Sequence, residues 1–161
     1  MKKYDFLKML SDEGRLRVVP PSAEVSKSYL EKSANSLRAA QLLIEAGLLE
    51  ESVSMSYYSM YHCLTALLRG CGIKCENHTG SMIILKEVLG NDKLYEIISN
   101  AKRERIDKQY FIDFAVAEAD ALDLVESALY FTSRLRLMID NLKTAEIQDI
   151  NAKMKEVLAR E

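Results

Sequence analysis

Between Val53 and Arg69 the chain reads VSMSYYSMYHCLTALLR, with one charge, at its very end, and neither glycine nor proline. Val53, Tyr57, Met60, Tyr61, Leu64, Leu67 and Leu68 recur with the three-and-four spacing of one helix face. Met55, Tyr58, Cys63 and Ala66 carry apolar character round much of the remaining surface. A helix apolar on nearly every side has to be covered by several neighbours. The stretch therefore predicts the central helix of a bundle. Its tyrosines, serines and His62 are polar, and it falls short of the ~18 unbroken apolar residues of a membrane span, so no membrane association is expected.

The rest of the chain agrees with an all-α fold, an up-and-down bundle of four to five helices. Only two prolines and six glycines interrupt a composition rich in helix formers. The 161 residues fit one domain, 1–161, with a core over about 22–142 and a charged helical tail over 143–161. Lys and Arg number 22 against 24 Asp and Glu, so any polyanion binding must come from a local patch. The N-terminus MKKYDFLKML has no apolar core of a signal peptide, and three cysteines make an odd count. Both favour reduced thiols and a cytoplasmic setting.

In chain order, Phe6, Leu7 and Leu10 suit a short helix ended by Gly14, and Val18-Val19-Pro20-Pro21 must be extended. Ser22 caps a first long helix whose inward face carries Tyr29, Leu30, Ser33, Ala34, Leu37, Ala40, Gln41 and Ile44. Gly47 ends it, and the short link to the central helix makes the two antiparallel neighbours. After Gly70 and Gly72 the loop CGIKCENH leads into a helix from about Thr79 to Leu89. Another follows from Lys93 to about Lys108 and ends in the run KRERIDK. Asp113 is positioned to cap a last long helix built on Ala117, Ala121, Leu124, Ala128, Phe131, Leu135 and Met138. Ile147, Ile150, Met154 and Val157 give the tail a weaker helical pattern.

Two groups of residues invite a chemical reading. Cys71, Cys75 and His78 form C-x3-C-x2-H, three of the four ligands zinc requires, but without the paired C-x2-C spacing. Buried thiols explain them better, and no metal or other cofactor is expected. His62 reads as a core histidine, and His78 as a residue at a helix start. The second group is Arg103-Glu104-Arg105-Ile106-Asp107-Lys108-Gln109-Tyr110, in which Arg103 and Tyr110 lie two helical turns apart. An arginine beside a tyrosine can clamp a phosphate and stack a base. The plainer account is a solvated helix end, with i,i+4 pairs such as Arg103–Asp107 and Glu104–Lys108.

Taken together, Tyr57-Tyr58-Ser59-Met60-Tyr61-His62, the exit Leu67-Leu68-x-x-x-Gly72, the start His78-Thr79-Gly80 and the arginine–tyrosine segment resemble the HEPN family of small helical nucleotide-binding domains, in its short stand-alone prokaryotic branch. The resemblance implies a helical bundle, commonly a homodimer, often paired with a nucleotidyltransferase in toxin–antitoxin systems. Catalytic members are metal-independent endoribonucleases with an R-x-x-x-x-H-x-Y motif. Set on that motif, Arg103 and Tyr110 match, while Lys108 stands at the histidine position. A lysine with a pKa of about 10.4 is protonated at neutral pH and cannot take up a proton, though it can bind phosphate. The expectation is thus a non-catalytic or weakly active dimeric module, with Arg103, Arg105, Lys108, Tyr110 and His78 available to RNA or nucleotide. Arg103, Lys108 and Tyr110 are the catalytic candidates if it is an endoribonuclease. A helical protein-interaction domain without nucleotide chemistry is the remaining alternative.

Overall fold

The computed structural model describes residues 1–110 and 115–160, apart from the side chains of 108–110. Among these residues it holds seven helices and one two-stranded ribbon. The helices are α1 (Lys3–Asp12), α2 (Ala23–Glu45), α3 (Leu49–Gly70), α4 (His78–Glu87), α5 (Asp92–Tyr110), α6 (Glu118–Asp140) and α7 (Thr144–Ala159). The ribbon joins β1 (Leu16–Val18) to β2 (Ile73–Cys75).

The central helix is α3. Tyr57, Met60, Cys63, Leu64 and Leu67 are wholly buried along it, and α2, α5 and α6 cover it. Its closest partner is α2, and small residues set that approach. Ser26, Ser33 and Ala40 recur every seven positions on α2, and Ser52, Ser59 and Ala66 do so on α3, all of them buried. Small side chains let two helix backbones come close, and the serines then need partners. Ser33 Oγ donates to the Ser59 carbonyl and Ser52 Oγ to the Ala40 carbonyl, both at 2.7 Å. The expected α2 face is only partly inward: Ala34 and Gln41 are exposed.

Local signals start the helices. Ser22 Oγ accepts from Val25 N at 3.1 Å, Asn77 Oδ1 from Gly80 N at 2.8 Å and Asn91 Oδ1 from Leu94 N at 3.0 Å. Asp113, the expected cap of α6, lies outside the described residues. The helix begins at Glu118 with an exposed Ala117 at its N-cap, so Ala117 is not a core position.

The segment read as a plain loop after Gly72 contains β2, which pairs antiparallel with β1 in the register Leu16↔Cys75, Arg17↔Lys74, Val18↔Ile73. Leu16 and Ile73 bury themselves while Arg17 stays out. Gly72 makes the ribbon's tight approach possible. Its φ is +78°, Val19 N donates to its carbonyl at 2.8 Å, and a Cβ there would lie 2.5 Å from Val19 O. The tail forms α7, which packs on α1 through buried Met154 and Val157. None of the described helices is long and apolar enough to cross a membrane.

Candidate functional site

The polar side of α3 supplies an aromatic cluster. Tyr57, Tyr58, Tyr61 and His62 are spaced so that one side of two helical turns is lined by rings. The capped start of α4 brings His78 onto them. Its ring lies 3.7 Å from that of Tyr61, centroid to centroid, at 22°, and its Nδ1 shares a 2.8 Å hydrogen bond with the Tyr57 hydroxyl. In the tautomer where Tyr57 donates, the imidazole proton sits on Nε2, a donor suited to a phosphate oxygen.

The cations come from α5, whose Lys102 and Arg105 lie three apart on one face. The Arg105 guanidinium sits 5.1 Å from the Tyr57 ring centre and 5.4 Å from that of Tyr58, and Nη1 donates to Tyr58 Oη at 3.3 Å. Lys102 Nζ donates to Thr79 Oγ1 at 2.6 Å, beside His78. On the far side of His62, Lys32 stands over Tyr29, whose ring is 6.2 Å from the His62 ring.

Burial and these cations fix the protonation states. Desolvation, then the charges of Lys102 and Arg105, lower the His78 pKa to about 4, so the ring is neutral at pH 7. Burial and Lys32 push His62 down as well. Burial raises Tyr57 and outweighs the opposing charge of Arg105, so its phenol stays protonated. Partial burial followed by repulsion from Arg105 lowers Lys102. Among the described residues the result is a half-buried surface with neutral rings, two cations and hydrogen-bond donors, with no carboxylate in the set that shifts His78. It can stack a base and hold a phosphate. A base with a pKa of about 4 is poorly matched to proton transfer at neutral pH.

Of the residues singled out in the sequence, Arg105 and His78 meet in this cluster. Arg103 does not join them: it is exposed and its Nη2 bonds Asn100 Oδ1 at 2.7 Å, one turn back on its own helix. Two residues along a helix turn it by about 200°, so Arg103 and Arg105 face opposite ways. Among the described residues Arg103 makes no ion pair with Asp107. The Lys108 and Tyr110 side chains lie outside the described residues, and with them the pair Glu104–Lys108. Tyr58, Tyr61 and Lys102 were not singled out as site residues. The signal for the two tyrosines was the polar stripe Tyr58–Tyr61–His62 on a largely apolar helix; Lys102, in the charged end of α5, had none. No group of three or more His, Cys, Asp or Glu among the described residues is placed to hold a metal ion. Cys63, Cys71 and Cys75 are free and buried.

The profile of the HEPN domain matches residues 26–139, from the first turn of α2 to the end of α6. The chain belongs to the HEPN family. In HEPN terms, the tyrosine–histidine cluster and its two cations lie within the matched region, whereas α1, β1 and α7 lie outside it. UPF0332 protein glr0978 of Gloeobacter violaceus is 32% identical over 63 residues, 39% of this chain and 50% of that protein. UPF0332 protein PH1297 of Pyrococcus horikoshii is 42% identical over 57 residues, 35% of this chain and 39% of that protein. The matches to these two relatives span half of their length or less. A longer match, 26% identity over 115 residues, covers 68% of this chain and 78% of a Methanocaldococcus jannaschii protein named "Putative toxin MJ0142".

Proposed function

We propose that this HEPN chain is a toxin–antitoxin-type module that binds single-stranded RNA at the Tyr58–Tyr61–His78–Arg105 cluster and cleaves it weakly or not at all. It works as a homodimer with a nucleotidyltransferase as its protein partner. The observation that carries the binding part is the convergence of Lys102 and Arg105 from α5 on the rings of α3 and on His78. Lys102, Arg105 and His78 Nε2 are the donors a phosphate would meet, and the partly buried tyrosine rings are the surface on which an unstacked base would pack. Weak catalysis follows from two features: His78 is neutral with a pKa of about 4, and Lys108 stands at the position of the family's histidine. The relative named a toxin supports the system type, and Leu42, Leu122 and Leu129, exposed on α2 and α6, support the dimer.

The test is fluorescence anisotropy of a labelled single-stranded RNA with the full chain, in EDTA, with gels run on the same samples. Arg105→Ala is expected to weaken binding about tenfold or more, the loss of one charged hydrogen-bond donor. Arg103→Ala should change it less than about threefold, as an exposed rim charge does. Equal binding by Arg105→Ala and the unsubstituted chain would refute the site. EDTA-resistant cleavage that disappears in Arg105→Ala would replace the weak-catalysis reading with a metal-independent endoribonuclease. Absence of RNA binding altogether would leave a helical protein-interaction domain.

A further inference from the structure

An apolar cleft lies away from the aromatic cluster, between the ends of α4 and α6 and the side of α7. Val88 and Leu89, just past α4, and Met138 and Leu142, in and just past the last turn of α6, form its floor, and Ile150 of α7 lines it with them. Its volume is about 460 Å3. Leu137 stands at its edge, 54% exposed, more than any other described large apolar residue except Met1. The α7 wall is acidic: Glu146 and Asp149 line it against the single cation Lys153. Among the described residues neither carboxylate is in an ion pair. One wall belongs to the HEPN-matched region and the other, α7, does not, so this cleft is not part of the shared core.

We propose that the α4–α6–α7 cleft is a docking groove for an amphipathic helix of a partner protein, one that sets leucine-like side chains on the floor and lysine or arginine against Glu146 and Asp149. Charge complementarity selects this occupant. An acidic wall over an apolar floor repels nucleic acid and favours a basic amphipathic segment, the helix-in-groove mode of recognition. A small-molecule pocket encloses most of its ligand, whereas Leu137 here stands open at the rim. The inference holds whether or not RNA binds at the aromatic cluster.

The probe is a labelled leucine–lysine amphipathic peptide of about 18 residues, long enough to form a helix. A companion peptide carries glutamate in place of every lysine. Anisotropy titrations use the full chain and its variants Asp149→Lys and Leu137→Glu, both at exposed positions, with thermal melts to verify folding. Glu146 is left intact because its carboxylate caps α7 by accepting from Lys143 N at 3.1 Å. The lysine peptide is expected to bind, and each variant to weaken it about tenfold, 1.4 kcal/mol. The glutamate peptide should bind more weakly by a similar factor, and Arg105→Ala should leave peptide binding unchanged. Binding that ignores both variants, or no binding, overturns the groove. So does sedimentation showing that Leu137→Glu dissolves a dimer, because a second copy of the chain would then be the occupant.

Discussion

His78 offers a direct measure of how the aromatic cluster is held together. In the folded chain its ring gains a proton near pH 4, against 6.5 for an unperturbed histidine. Because the folded pKa is depressed, the unfolded chain holds the extra proton between those values. Stability therefore rises with pH through this window, is fully present above about 6.5 and is lost as the pH falls towards 4. The ring is only half-buried, and screening by water reduces the effect to about 1.5 kcal/mol across the window. For a chain of this length that corresponds to about 3–6 °C in Tm. Replacing His78 with Gln removes the stack on Tyr61 and the bond to Tyr57, so at pH 7 the variant should be less stable by about 1–2 kcal/mol. The gap should then close by about 1.5 kcal/mol as the pH is lowered, because only the unsubstituted chain has this histidine to protonate. Urea unfolding of both proteins at closely spaced pH values from 7 to 4.5 measures it. The carboxylates and His62 titrate in both, so their contributions cancel in the difference. A gap that stays constant over the range would refute the claim that His78 is held neutral by its surroundings.

Other consequences are simpler. Gly72→Ala should destabilise the fold by about 2–4 kcal/mol in urea unfolding, since it adds a left-handed-backbone penalty to a clash with Val19 O. Gly14→Ala, also at positive φ but with nothing within 4 Å of its Cβ, should lose only about 1 kcal/mol. Burial pushes the Cys63 thiol up to about 12 and Cys71 up to about 11, and raises Cys75 as well. A thiol reagent at pH 8 should label the native protein far more slowly than the urea-unfolded one; equal rates would contradict the burial of all three.

The helical plan of this protein was legible from its sequence because its strongest signals are local. Ser22, Asn91 and the glycines mark helix ends through hydrogen bonds and dihedral angles that involve only their neighbours. The central helix declared itself by an apolar surface too broad for one partner. The β1–β2 ribbon went unseen because each strand has three residues, too few for alternation to register, and its pairing joins positions nearly sixty apart. The candidate site was harder still. Arg105 and Arg103 look alike in sequence, and only the rotation of α5 against α3 decides that Arg105 reaches the tyrosines. Tyr58 and Tyr61 read first as packing, since nothing in one helix announces that α4 will bring a histidine onto its rings. The seven-residue repeat of Ser26, Ser33 and Ala40 against Ser52, Ser59 and Ala66 was also present in the sequence. It was hidden because serine scores as polar, although here its small size decides how the helices pack.

That seam bears on how the chain folds as it is synthesised. The helices it joins are adjacent in sequence, so their contacts close a short loop and form early. The hairpin of α2 and α3 is complete once Gly70 has emerged, but α6, which covers another side of α3, ends only at Asp140. At ribosomal rates of about 5–20 residues per second, roughly 4–14 s separate those two points. Throughout that interval the broad apolar face of α3 is only partly covered, so the nascent hairpin is the stage at which a chaperone would hold this chain or a neighbouring copy would trap it.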